Sequence, residues 1–147
     1  MDRGVAVAVA ALVGGVVVTQ APLNSQLGRS VGGLQASAIA LGISFLAVLA
    51  LATFTDGLGG MRRIGDAPWY VAIGGGLAGA LYVGSIVWTV RALGVGGLTA
   101  ITIAAQLGLA VVIDHFGWLG VERSPITVAK VAGIALLGLG TWLVLRD

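Results

Sequence analysis

The 147-residue sequence has no cysteine, one histidine and few charges, with only 10% of its residues Asp, Glu, Lys or Arg. Each scarcity closes off a branch of chemistry. Without cysteine there is no disulfide, no thiolate metal ligand and no cysteine nucleophile. The lone histidine, His115, and six scattered acidic residues form no metal-ligating cluster, no paired carboxylates and no Ser/His/Asp arrangement. An enzyme is therefore the least supported class, and neither a cofactor nor a metal is expected. The eight basic residues stand singly or, at Arg62 and Arg63, as one pair, so the net charge of +2 does not amount to a basic patch. Nucleic acid is not an expected partner. Soluble domains carry about 25% charged residues, and this chain lacks the polar surface to stay in water.

What is abundant is apolar: 58% of residues are hydrophobic and 25 are glycine. Five hydrophobic segments can be drawn, at about 4–27, 34–54, 68–90, 97–115 and 125–145. Each is long enough to cross a ~30 Å hydrocarbon core at 1.5 Å per residue. The expected fold is all-α and integral to a membrane, a single five-helix domain over residues 1–147, with the lipid bilayer as its solvent. The first segment exceeds the roughly 7–15 residues of a signal-peptide core and is read as a span. A β-barrel is excluded because the segments are continuously apolar and do not alternate.

Against this background the polar residues inside the segments stand out. Gln20 and Asn24 are four apart on one helical face, beside Pro22, whose missing N–H leaves the Val18 carbonyl without its helical partner. A helix kink is expected at Pro22. In the fourth segment Thr99, Thr102 and Gln106 share a face, with Gln106 near mid-span. A mid-membrane amide is costly to leave unpaired, so Gln20, Asn24 and Gln106 are either helix glue or contacts to a substrate. Tyr82, well inside the third segment, needs a hydroxyl partner and is a further pathway residue. The substrate-binding candidates are thus Gln20, Asn24, Gln106, Tyr82 and Thr102.

Asp114 and His115 close the fourth segment and are the candidates for proton coupling. Ser37 and Ser44 are read as structural, and Lys130 as a snorkelling side chain. Small-residue spacings mark close helix packing at Gly75 and Gly79 and at Gly133 and Gly140. Trp69, Trp88, Trp118 and Trp142 lie near segment ends as interface anchors.

With five spans, one side of the membrane holds Arg3, Arg62, Arg63 and Arg123, with Lys130 if it snorkels there, and the other holds Arg29, Arg91 and Arg146. That near tie favours a cytoplasmic N-terminus only weakly and permits dual topology. Two copies inserted in opposite senses would form an antiparallel dimer with inverted-repeat symmetry.

The chain resembles the YdcZ-like branch of the drug/metabolite transporter (DMT) superfamily. The match rests on Gln20 and Asn24 followed by Leu27-Gly28-Arg29, on Ala36 to Phe45, on Pro68-Trp69 and on Gly74-Gly75-Gly76-Leu77-Ala78-Gly79-Ala80. It continues through Gln106-Leu107 and the most specific run, Ile113-Asp114-His115-Phe116-Gly117-Trp118-Leu119-Gly120. Ala105 and Ala47 depart from glycines of the pattern. The resemblance implies a five-helix half-transporter in a bacterial inner (plasma) membrane, working as a homodimer or with a paired homologue. It implies a secondary transporter, an exporter of a small-molecule substrate, metabolite or drug-like, acting by alternating access. The related small multidrug exporters use a carboxylate inside their first helix, and segment one here has none. Uniport, facilitated diffusion or coupling through Asp114 remain. The alternatives are a dual-topology ion channel and a non-transporting membrane subunit.

Overall fold

The computed structural model describes residues 2–55 and 57–146. Among these residues every regular element is helical: α1 (Arg3–Val31), α2 (Gly33–Thr55), a 3₁₀ turn (Leu58–Asp66), α3 (Trp69–Phe116), a short 3₁₀ turn (Trp118–Gly120) and α4 (Val128–Arg146). The four α-helices are each long and apolar enough to cross a membrane. At 1.5 Å per residue the 48 residues of α3 would run to roughly 72 Å, more than twice a hydrocarbon core. It is not one straight rod, however. Gly94 breaks its helical path with φ 68° and ψ 172°, a backbone conformation closed to residues with a side chain.

The chain divides into two compact units, Met1–Arg91 and Ala92–Asp147. In the first, α1 and α2 pack on each other and are joined by Gly32 alone, at φ 96°. The loop expected over residues 28–33 is therefore reduced to one residue. Its N–H donates to the Gly28 carbonyl at 3.1 Å, and its carbonyl accepts from Ala36 N at 3.0 Å. Gly28, which falls between the first two expected spans, is helical and part of a helix-packing notch. Val87 of α3, fully buried, sits where a Cβ on Gly28 would come within 2.9 Å of its Cγ1 and one on Gly33 within 3.3 Å. Ala21, Ser25 and Gly28 form the buried face of α1, Ala36 and Ser37 that of α2, and Ile86, Val87 and Val90 that of α3.

Ser37 Oγ ties this core together, 3.1 Å from Gly33 O in its own helix and 3.2 Å from Val83 O across in α3. Helix association in lipid lacks a hydrophobic drive between helices, so close backbone approach and such hydrogen bonds carry it.

The second unit pairs residues 95–116 of α3 with α4, antiparallel. Thr141 Oγ1 lies 3.2 Å from Ala100 O, and a Cβ on Gly97 would meet Leu145 Cδ2 at 3.1 Å. Gly97, Leu98, Val111 and Thr141 are its buried residues among those described. Large apolar side chains elsewhere, such as Leu12, Phe54 and Leu136, are exposed. In water this would be an aggregating surface, whereas in a bilayer it is the surface that lipid wets.

Candidate functional site

In this chain most hydroxyls are already satisfied by backbone oxygen. Thr19, Thr53, Ser85, Thr89 and Thr102 each donate to a carbonyl three or four residues back in the same helix. Thr102 is the one of these among the binding candidates, with Oγ1 2.9 Å from Leu98 O and 3.0 Å from Thr99 O. Its proton is committed, and only an oxygen lone pair remains to accept from a ligand.

The amides behave differently. Gln20 is exposed and Asn24 half-buried on α1, and Gln106 is exposed in the second unit. None of the three has a side-chain hydrogen bond with a described residue, and neither has the half-buried Tyr82 hydroxyl. Among the described residues no fully buried side-chain polar atom lacks a partner, so these groups open onto whatever surrounds the unit. α1 is continuous through Pro22. Gln20 and Asn24 thus stay one turn apart on adjoining turns of an unbroken helix, flanking the buried Ala21–Ser25 face.

One polar contact on that face had no sequence signal beyond a lone arginine. Arg91, three residues before the Gly94 break, donates from Nε to Ser25 Oγ at 3.3 Å and from Nη2 to Ser25 O at 3.2 Å. The guanidinium fork clips the end of its helical stretch to α1, one residue after Asn24. It thereby fixes the turn that carries Asn24.

Asp114 and His115 lie in the last turn of α3, bonded to the loop that follows it. Ser124 N donates to Asp114 O at 2.8 Å, Arg123 Nε to His115 O at 2.9 Å, and Ile126 N to His115 Nδ1 at 3.2 Å. Because Nδ1 accepts, the neutral ring carries its hydrogen on Nε2. Lys130 Nζ donates to Ser124 Oγ (2.8 Å), Ser124 O (3.1 Å) and Pro125 O (3.2 Å), which occupies all three ammonium protons. It is a clamp on this loop and not an anion site. The side-chain carboxylate of Asp114 has no ion pair with a described residue. His115, Phe116 and Trp118 form an edge-on and then stacked aromatic series, with centroids 4.9 and 5.0 Å apart.

The four packing glycines have open surroundings: a Cβ on Gly75, Gly79, Gly133 or Gly140 would meet nothing within 4 Å. Gly28, Gly33 and Gly97 are the glycines at which a Cβ would press closely on a side chain of another helix: Val87, Val87 with Trp88, and Leu145.

Helices long and apolar enough to cross a bilayer, an interior held by small residues and hydroxyl bonds, and unpartnered amides on the spans together define an all-helical integral membrane protein. A family model described as "Putative inner membrane exporter, YdcZ" matches residues 5–143, and the chain belongs to that family. It is accordingly an inner membrane protein of an exporter family. Neither the curated proteins nor the solved structures gave a match.

Proposed function

We propose that the chain is a half-transporter that exports a small solute by alternating access, paired antiparallel with a second copy or a close homologue. The observation that carries this reading is the set of amides, Gln20, Asn24 and Gln106, left without side-chain partners among the described residues in a chain most of whose hydroxyls are bonded. An unpaired amide facing hydrocarbon costs several kcal/mol, so these groups face water, cargo or protein. Tyr82 adds a hydroxyl to the polar groups of the first unit, Thr102 adds an acceptor one turn from Gln106 in the second, and Asp114 with His115 would couple a proton through the loop bond at Nδ1. Gly94 supports five crossings in place of four, because each half of α3 exceeds twenty residues and spans a bilayer by itself. Five crossings put the termini on opposite sides. The open glycine faces at Gly75, Gly79, Gly133 and Gly140 suit the close approach of helices from a second copy.

Two experiments address the reading directly. A thermal-stability screen of purified protein against amines, sugars, organic acids and drug-like solutes is expected to yield a ligand that raises Tm with its occupancy and is then transported in proteoliposomes. If no solute shifts Tm or moves, the non-transporting subunit becomes the better description. Separately, C-terminal fusions to a reporter active only in the cytoplasm and to one active only outside should both give signal. Signal from a single fusion removes the dual-topology pairing and leaves a fixed orientation.

A further inference from the structure

Between α2 and α3, outside the expected spans, residues Leu58–Asp66 wind into nine residues of 3₁₀ helix despite three glycines. With three residues per turn, positions i, i+3 and i+6 eclipse. Leu58, Met61 and Ile64 therefore fall in one row, and the other two rows are Gly59, Arg62, Gly65 and Gly60, Arg63, Asp66. One edge is wholly apolar and the remaining surface is glycine and charge. Runs of 3₁₀ longer than about four residues are uncommon because their hydrogen bonds are strained, so a nine-residue run needs support from its side chains. Met61 finds some along α2, where it lines an apolar groove of about 350 Å³ with Leu41, Phe45, Val48 and Ala52, and Leu58 is partly covered at 43% exposure. Ile64 is 67% exposed. Arg62 and Arg63 are exposed and have no ion pair or hydrogen bond with a described residue. Trp69 and Tyr70, exposed and edge-on to each other, follow directly at the start of α3.

We propose that this 3₁₀ turn is an in-plane membrane segment that binds an anionic phospholipid: Arg62 and Arg63 hold the headgroup phosphate, the Leu58, Met61 and Ile64 row enters the acyl boundary, and an acyl chain lies in the groove along α2. Charge complementarity selects the occupant. Two adjacent guanidiniums with free donors match phosphate oxygens in a fork geometry that lysine lacks. An apolar row beside them requires hydrocarbon at the same depth, which a soluble anion does not offer. The position between two spans sets that depth at the headgroup level, where Trp69 and Tyr70 also reside.

Native mass spectrometry of the detergent-solubilised protein titrated with phosphatidylglycerol or phosphatidylcholine tests this. Retention should favour phosphatidylglycerol by on the order of ten- to thirty-fold, from two basic residues at an anionic surface. Arg62→Gln with Arg63→Gln should abolish the preference, whereas Arg29→Gln should leave it. Equal retention of the two lipids, or an unchanged preference in the double variant, overturns the site. Displacement of phosphatidylglycerol by inorganic phosphate at matched ionic strength overturns the lipid as occupant. Because the protein has no cysteine, single nitroxide labels provide a second measurement: Ile64→Cys should report the oxygen-rich bilayer interior and Asp66→Cys the aqueous phase. The reverse order also overturns the proposal.

Discussion

Gln106→Ala is expected to abolish solute flux in proteoliposomes while leaving expression, assembly and Tm near those of the unaltered protein. The reason lies in what the amide does not touch. A glutamine serving as helix glue would have a partner, and removing it would cost about 0.6 kcal/mol and at most about 1.7. Gln106 has no bond to a described residue, so truncation removes a polar group from an apolar span and leaves no orphan within the chain. Flux and stability measured side by side therefore separate the two roles. Loss of flux at constant Tm supports a pathway contact. A drop in Tm with flux intact in the surviving protein would identify glue to a second copy, and full activity at full stability would remove Gln106 from any role. Asn24→Ala should follow the same pattern, with a milder loss because Asn24 is half-buried.

Gly28→Leu is expected to cause the largest loss of stability of any single change in the first unit. A methyl at this position already comes within 2.9 Å of Val87 Cγ1 and 3.5 Å of the Gly33 backbone, and Val87 is fully buried with nowhere to move. Overpacking a closed notch costs about 1–3 kcal/mol, and here it also pushes Arg91 away from Ser25. A Tm lower by several degrees, with the detergent-solubilised protein losing ligand response, is the expected result. Gly75→Leu is the matched control, since its Cβ meets nothing within 4 Å. That variant should keep its Tm as a monomer and lose only association with a second copy. Equal Tm for Gly28→Leu and the unaltered protein would mean that the notch does not hold α1, α2 and α3 together.

The membrane class of this protein was legible from composition alone, because a chain with 10% charged residues and 58% hydrophobic ones has no other solvent available. The all-helical fold followed from runs of apolar residues long enough to span and too continuous to alternate. The odd residues in those runs, Gln20, Asn24 and Gln106, were also legible, since polarity in a span is costly wherever the span ends up. These are properties of single residues and single helices, and they need no knowledge of neighbours.

Pairwise and conformational facts were decided only in three dimensions. Gly28 reads in sequence as punctuation, like Gly32, but only Gly32 takes a positive φ, while Gly28 stays helical to admit Val87. Arg91 enters the sequence reading only as a topology charge and is in fact a clip on Ser25, 66 residues away. Lys130 reads as a snorkelling side chain and is bound by its own loop. In the segment 58–66 a period of three emerges only once the backbone adopts the 3₁₀ form. Sequence determines which groups lipid will not accept, because transfer free energy is a property of the group. Which of those groups find partners inside the chain, and which are left for cargo, headgroup or a second copy, depends on distances that only the packed helices set.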